Sequence, residues 1–286
     1  MKLEKLFTLG LLSAGIMFTS CQDDEDPVDD GNGGGDNNTP TSITFDGSTT
    51  PSIGDVYYQS VDTVLQDSVM MGEGENMAWN FDWLTEYFVD TLSIVDPSTT
   101  PGGASFPESD YAFQDGDEEF YFYASNTATG IEADGYAGDM IGDGNSLSLV
   151  FDNPMNFTMF PATYGDSFSD DFYMDQTMAI SVEIQPGIYA DSLRMKREGT
   201  VTADVNGWGE VTSPMGSYDA IRIARSENST DSTWIYVEFA GGWMNVGGEM
   251  TSNHGVQFQA NEFVLPVVQF DMDSLNTMPV SATFLK

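Results

Sequence analysis

The stretch from residue 200 to 239, TVTADVNGWGEVTSPMGSYDAIRIARSENSTDSTWIYVEF, decides how the chain is read. From Thr200 to Val205 the apolar Val201, Ala203 and Val205 alternate with Thr200, Thr202 and Asp204. That period of two places apolar side chains on one face of a strand and polar ones on the other. Asn206-Gly207 offers the two positive-φ residues of a tight type I′ hairpin. Trp208 to Ser213 is expected to return, and Ser213-Pro214-Met215-Gly216 to turn again. Tyr218 to Arg225 and Thr233 to Phe239 continue the meander on either side of a polar turn from Ser226 to Ser232. In the last strand Ile235, Val237 and Phe239 share one face, and Trp234, Tyr236 and Glu238 the other.

The same signature recurs outward. Val56 to Val64, Met77 to Trp83, Tyr87 to Val95, Glu119 to Ser125, Ser146 to Phe151, Thr177 to Ile184 and Phe263 to Phe270 read as strands between Gly, Pro, Asn and Asp turns. No long amphipathic helix is signalled; Asn80 to Phe88 comes nearest, and its Trp and Phe suit a strand or turn equally well. The expected fold is all-β, an antiparallel β-sandwich, either one large sandwich or two similar ones in tandem. The tandem alternative draws on an echo. Pro51-Ser-Ile-Gly54-Asp55-Val-Tyr57 and Pro161-Ala-Thr-Tyr-Gly165-Asp166-Ser-Phe168 share Pro, a short spacer, Gly-Asp and an aromatic, which suggests a boundary near Asn153 and a body subdivided into 43–153 and 154–286. Pro and Gly-Asp are also common loop punctuation.

Before the body, residues 1–20 carry Lys2 and Lys5, an apolar run from Leu6 to Phe18, and the small Thr19 and Ser20. These are the parts of an export signal, with an apolar run shorter than the ~20 residues that span a bilayer. Phe18-Thr19-Ser20-Cys21 resembles the lipobox of bacterial lipoproteins, which implies lipidation of Cys21 as the mature N-terminus. Cys21 is the sole cysteine, so it has no disulfide partner within the chain. Residues 21–42 are Asp, Asn, Gly, Pro and Thr with no apolar period, the composition of a disordered acidic tether. Gln22-Asp23-Asp24-Glu25-Asp26 resembles the acidic tag of surface-exposed lipoproteins of Bacteroidetes. The address implied is the outer membrane, lipid-anchored and facing the exterior.

Composition excludes several chemistries. Asp and Glu number 46 against 8 Lys and Arg, and no basic residue falls between Lys5 and Arg194. Such a surface repels phosphate backbones, so no nucleic-acid partner is expected. One His and one Cys leave no zinc site with two or more histidines and no free thiol nucleophile. A Ser-His-Asp triad would require His254, and no Gly-x-Ser-x-Gly elbow occurs.

Several stretches together resemble a group of uncharacterised secreted and surface β-rich proteins of Bacteroidetes. They are Pro51-x-x-Gly54-Asp55; the Gly-rich lead Gly72-Glu-Gly74-Glu-Asn76-Met-Ala-Trp79; Phe160-Pro161-Ala-Thr-Tyr164-Gly165-Asp166-Ser167-Phe168; and Gly199 to Gly209 followed by Pro214-Met-Gly216-Ser-Tyr218-Asp219. Relatives often carry a C-terminal type IX sorting domain, whose place the lipid would take here. The resemblance implies an address and a β fold, and it brings no activity with it.

Two sets of side chains are candidates for a site. Tyr121 and Tyr123, in the run Phe120-Tyr121-Phe122-Tyr123, and Trp234 with Tyr236 either stand on an exposed face as a sugar-stacking platform or lie in a large β core. Asp115, Asp117, Asp139, Asp143 and Asn145 offer oxygen ligands for calcium, yet none follows EF-hand spacing and each also suits a solvated turn. No other cofactor is signalled. The expected role is a non-catalytic binding or adhesion module, with a glycan or an envelope protein as partner. The alternatives are a carboxylate-based polysaccharide hydrolase and a structural component of an envelope complex. A facing pair of carboxylates in a cleft would mark the hydrolase; an exposed row holding Trp234 and Tyr236 would mark the binder.

Overall fold

A computed structural model describes residues 42–66, 69–116, 119–142 and 144–286; Cys21, the export signal and the acidic tether lie outside them, as do Asp117 and Asp143. The strands are β1 (Thr44–Phe45), β2 (Val56–Asp62), β3 (Gly74–Asn80), β4 (Phe88–Val95), β5 (Tyr111–Asp115), β6 (Phe120–Thr127), β7 (Gly130–Gly138) and β8 (Leu147–Met159). They continue as β9 (Ala162–Thr163), β10 (Ser167–Gln185), β11 (Ile188–Ser213), β12 (Gly216–Val237), β13 (Gly242–Ala260), β14 (Val268–Met272) and β15 (Pro279–Leu285). Among the described residues the only helical pieces are short 3-10 turns, and Asn80 to Phe88 is loop.

The chain is all-β, but the sandwich expectation is corrected: the strands close into a 12-stranded antiparallel barrel. Around the ring the order is β10-β8-β7-β6-β5-β4-β2-β15-β14-β13-β12-β11, and β11 pairs back to β10. A period-two pattern is common to sandwiches and barrels, because both need one buried face per strand. What separates them is whether strands far apart in the chain meet, as β2 meets β15. Closure removes the edges that an open sheet would have to protect. The β8–β10 seam has a single strand-pair register, Tyr173 opposite Asn153. Side chains stitch the rest: the Asn153 amide donates to the Asp171 carbonyl, the Asp175 amide donates to Asp152 at 3.0 Å, and the Asn156 amide donates to Asp170 at 2.8 Å.

Four long strands replace the predicted meander of short ones. β10 to β13 run for 19, 26, 22 and 19 residues. Asn206-Gly207 makes no hairpin; β11 passes through it with a register shift between Val205 and Gly207, a bulge rather than a turn. Beyond that shift β3 joins β11 in parallel, Gly74 opposite Gly207 and Asn80 opposite Thr212. The approach is so close that a Cβ on Gly209 would lie 1.9 Å from the Met77 carbonyl oxygen. The predicted turn at Ser213 to Gly216 is present, as the hairpin between β11 and β12. The polar segment Ser226 to Ser232 is strand, because its inward residues are themselves polar and find polar partners inside the barrel.

The interior is filled by Tyr57, Leu92, Ile94, Phe113, Phe122, Leu149, Phe172, Leu193, Val201 and Ile235, with Val264 and Leu265 folded in from the β13–β14 connection. A second cluster lies on the outer face of β12 to β15, where Phe258, Phe270 and Phe284 are covered by Trp79, Phe81 and Leu84 from β3 and the loop after it. The Pro…Gly-Asp echo is one turn built twice. Gly54 and Gly165 both take positive φ, 102° and 95°. Asp55 and Asp166 each accept a backbone amide three residues back, from Ser52 and Thr163, at 2.8 Å.

Candidate functional site

Trp234 and Tyr236 stand side by side on the outer face of β12, because the intervening Ile235 and the following Val237 are buried inside the barrel. Arg194 and Ser192 are their partners on β11, and Asn245 and Trp243 on β13. The Arg194 guanidinium lies 5.3 Å from the Trp234 ring centroid and holds Asp175 through Nε and Nη2 at 2.8 and 2.6 Å. That hydrogen-bonded pairing keeps the Asp175 carboxyl below the usual carboxylate range. Tyr236 meets Trp243 edge to face, centroids 5.6 Å apart. Trp243 is 45% exposed, and Phe239 at the β12–β13 turn is 86% exposed. The result is an aromatic strip on the barrel surface, bordered by a carboxylate, a guanidinium and an amide.

Tyr121 and Tyr123 are not part of it. Both are buried on the far side of the ring, in a cluster with Phe106, Ala112 and Ala137. Tyr123 stacks flat on Phe106, centroids 3.8 Å apart and 8° from parallel, and its hydroxyl lies 2.5 Å from Thr100 Oγ1. The 3-10 turns Pro97–Thr99 and Gly103–Ser105 belong to the segment that covers this face, so aromatics on both sides of β6 are core. Trp243 was missed because Gly241-Gly242 signals a turn, and nothing local shows that the next residue begins a strand beside Tyr236.

Of the acidic turns, Asp117 and Asp143 lie outside the described residues. Asp115 ends β5 and is exposed, Asp139 accepts the Gly144 amide at 2.9 Å, and Asn145 is exposed nearby. No group of three or more His, Cys, Asp or Glu placed to hold a metal ion occurs among the described residues. His254 lies on β13 between two serine hydroxyls, Ser226 at 2.8 Å from Nδ1 and Ser252 at 3.1 Å from Nε2. No carboxylate hydrogen-bonds its ring among the described residues, so the triad geometry is not built there.

Two carboxylates share one guanidinium inside the barrel. Arg197 Nη2 donates to Glu227 Oε1 at 2.7 Å, and its Nη1 lies 3.7 Å from Asp231 Oδ2, a charge contact too long for a hydrogen bond. Burial raises the Asp231 pKa against the opposing pull of Arg197. Burial likewise pushes the Tyr136 hydroxyl up to about 12. These acids are tied to a guanidinium within the core instead of flanking a cleft.

Compared with protein-family models, curated proteins and solved structures, the chain matches none. No helix of the described residues is long and apolar enough to cross a membrane, and a β-barrel is compatible with an outer-membrane protein. The outer faces of β10 to β13 carry Asp171, Glu198, Thr200, Asn228 and Ser252 in one shallow groove.

Proposed function

We propose that this protein is a lipid-anchored outer-membrane barrel that faces the exterior and binds a glycan, without catalysis, through the strip Trp234, Tyr236 and Trp243. The observation that carries the reading is the coplacement of these three rings on one outer face, with Asp175, Arg194 and Asn245 at its border. Stacking surfaces for sugar rings and polar groups for hydroxyls are what such recognition needs. The lipobox-like Phe18-Thr19-Ser20-Cys21 and the acidic tether support attachment through the Cys21 lipid, and the Bacteroidetes resemblance supports the same address. Incubating the full chain in detergent with a polysaccharide panel, and measuring both retention and released reducing sugar, tests the proposal. Retention without release supports it; release of sugar would instead establish a hydrolase.

One observation favours a second reading, an envelope-complex component. Val56, Tyr58, Tyr87, Phe88 and Val89 are exposed on and beside the neighbouring strands β2 and β4, an apolar grouping suited to a protein partner. Failure of every polysaccharide to bind, together with recovery of a stoichiometric membrane-protein partner, would select it.

A further inference from the structure

Arg225 is the exception among the cations of the body. Arg194, Lys196, Arg197, Arg222 and Lys286 each lie within ion-pair distance of a carboxylate. Among the described residues Arg225 has no such partner, and its Nη2 is sealed from solvent with no hydrogen-bond acceptor. In a chain with 46 acidic residues this is not a shortage of anions. The adjacent inward acid on its strand, Glu227, is taken by Arg197 at 2.7 Å. A sealed guanidinium nitrogen without an acceptor is costly to maintain.

Arg225 lines a partly enclosed cavity of about 60 Å³ inside the barrel, walled by β8 and by β10 to β14. That volume accommodates a few water-sized groups. Its walls are of two kinds. Phe157, Phe168, Ile223 and Leu265 are apolar, whereas Asn156, Gln257 and Gln269 bring amides. Asn156 Oδ1 is a second sealed polar atom without a partner, here an acceptor. Phe157 lies 6.0 Å from the guanidinium carbon and supports the cation from one side.

We propose that this cavity is a binding site for a small monocarboxylic acid with a short apolar tail, the carboxylate held by Arg225 and the tail by Phe157, Phe168, Ile223 and Leu265. A planar carboxylate matches the fork of a guanidinium. Glu227, two residues along on the same inward face, would repel a dianion such as phosphate about twice as strongly as a monoanion. The site is separate from the outer aromatic strip, and its fate does not depend on glycan binding.

The test uses the full chain in detergent, titrated with sodium butyrate by calorimetry and followed by thermal unfolding, with butyramide as the uncharged probe. Butyrate is expected to bind saturably and raise Tm, butyramide to bind about tenfold or more weakly, the scale of a charge-assisted hydrogen bond. Arg225→Gln is expected to abolish the preference for the charged probe. Ala203→Leu, which narrows the cavity while leaving Arg225 in place, is expected to abolish binding of both, and serves if Arg225→Gln does not fold. Equal affinity for butyrate and butyramide, undiminished butyrate binding by either folded variant, or no butyrate binding at millimolar concentration would each overturn the proposal.

Discussion

Arg197 and Glu227 form an ion pair across the inner faces of β11 and β12, Nη2 to Oε1 at 2.7 Å, with both side chains only 12% exposed. The pair explains why Ser226 to Ser232, polar at every position, is strand and not turn. Glu227, Ser229 and Asp231 point inward to where Arg197 can meet them, as Ser226, Asn228 and Thr230 face out. Removing one partner leaves a buried charge uncompensated, at a cost of about 3–5 kcal/mol. Arg197→Met and Glu227→Leu are each expected to lower stability on that scale in denaturant titrations. The double variant is expected to lose much less than the sum of the two, and strict additivity would show that the pair is not energetically coupled.

Gly209 and Met77 set how closely β3 can lie against β11. A methyl at residue 209 would fall 1.9 Å from a backbone oxygen that has no rotamer to escape into. Gly209→Ala is therefore expected to separate β3 from the barrel and to loosen Trp79 and Phe81 above Phe258. Tryptophan fluorescence should shift red and Tm should fall by several degrees, at roughly 2–4 °C per kcal/mol for a domain of this size. An unchanged Tm would mean that the parallel pairing contributes little.

Asp271 gives a pH dependence of definite sign. Burial raises its carboxyl above the ordinary range, against hydrogen bonds from Ser281 and Gln269. Between the unfolded value of ~3.9 and that raised value, the folded chain holds a proton the unfolded chain has released. Its contribution to stability is full below this window and is lost as pH rises through it. Asp271→Asn is expected to be closest to neutral at low pH and relatively stabilising at pH 7, read as Tm against pH for both proteins. The opposite slope would place a compensating cation near Asp271.

The aromatic residues divide into two classes that mutation should separate. Tyr123→Ala removes a fully buried ring stacked on Phe106 and is expected to cost about 3–5 kcal/mol. Trp243→Ala removes a half-exposed ring and is expected to cost about 1 kcal/mol or less, while abolishing retention on any polysaccharide that binds. Retention that survives both Trp243→Ala and Trp234→Ala would remove the strip from the site.

Cys21→Ser tests the anchor. If the Cys21 lipid is what holds the protein at the membrane, the variant is expected in the soluble fraction of lysed cells and the native chain in the membrane fraction. A variant that stays in the membrane after a salt wash would show that the body itself holds there.

The sequence by itself determined the all-β class of the structure. Alternation in Thr200 to Val205 and Thr233 to Val237 is a local property, set by the pleat, and it survives in the structure residue for residue. The paired turns at Gly54-Asp55 and Gly165-Asp166 were legible for the same reason, since their hydrogen bonds close within four residues. Tertiary structure alone decided the rest. Whether Asn206-Gly207 turns or bulges depends on β3 and β10 sharing the flanks of β11. Whether the sheet stays open or closes depends on the β2–β15 contact between residues far apart in the chain and on the thin β8–β10 seam. Tyr123 and Trp234 look alike in sequence, both aromatic on alternating strands. One is core because residues 97–106 fold over β6, while Trp234 and Tyr236 are half-buried on the outer face beside Arg194 and Trp243. Arg225 is set apart only by where its neighbours' charges are already spent, a fact of three-dimensional pairing that no spacing along the chain encodes.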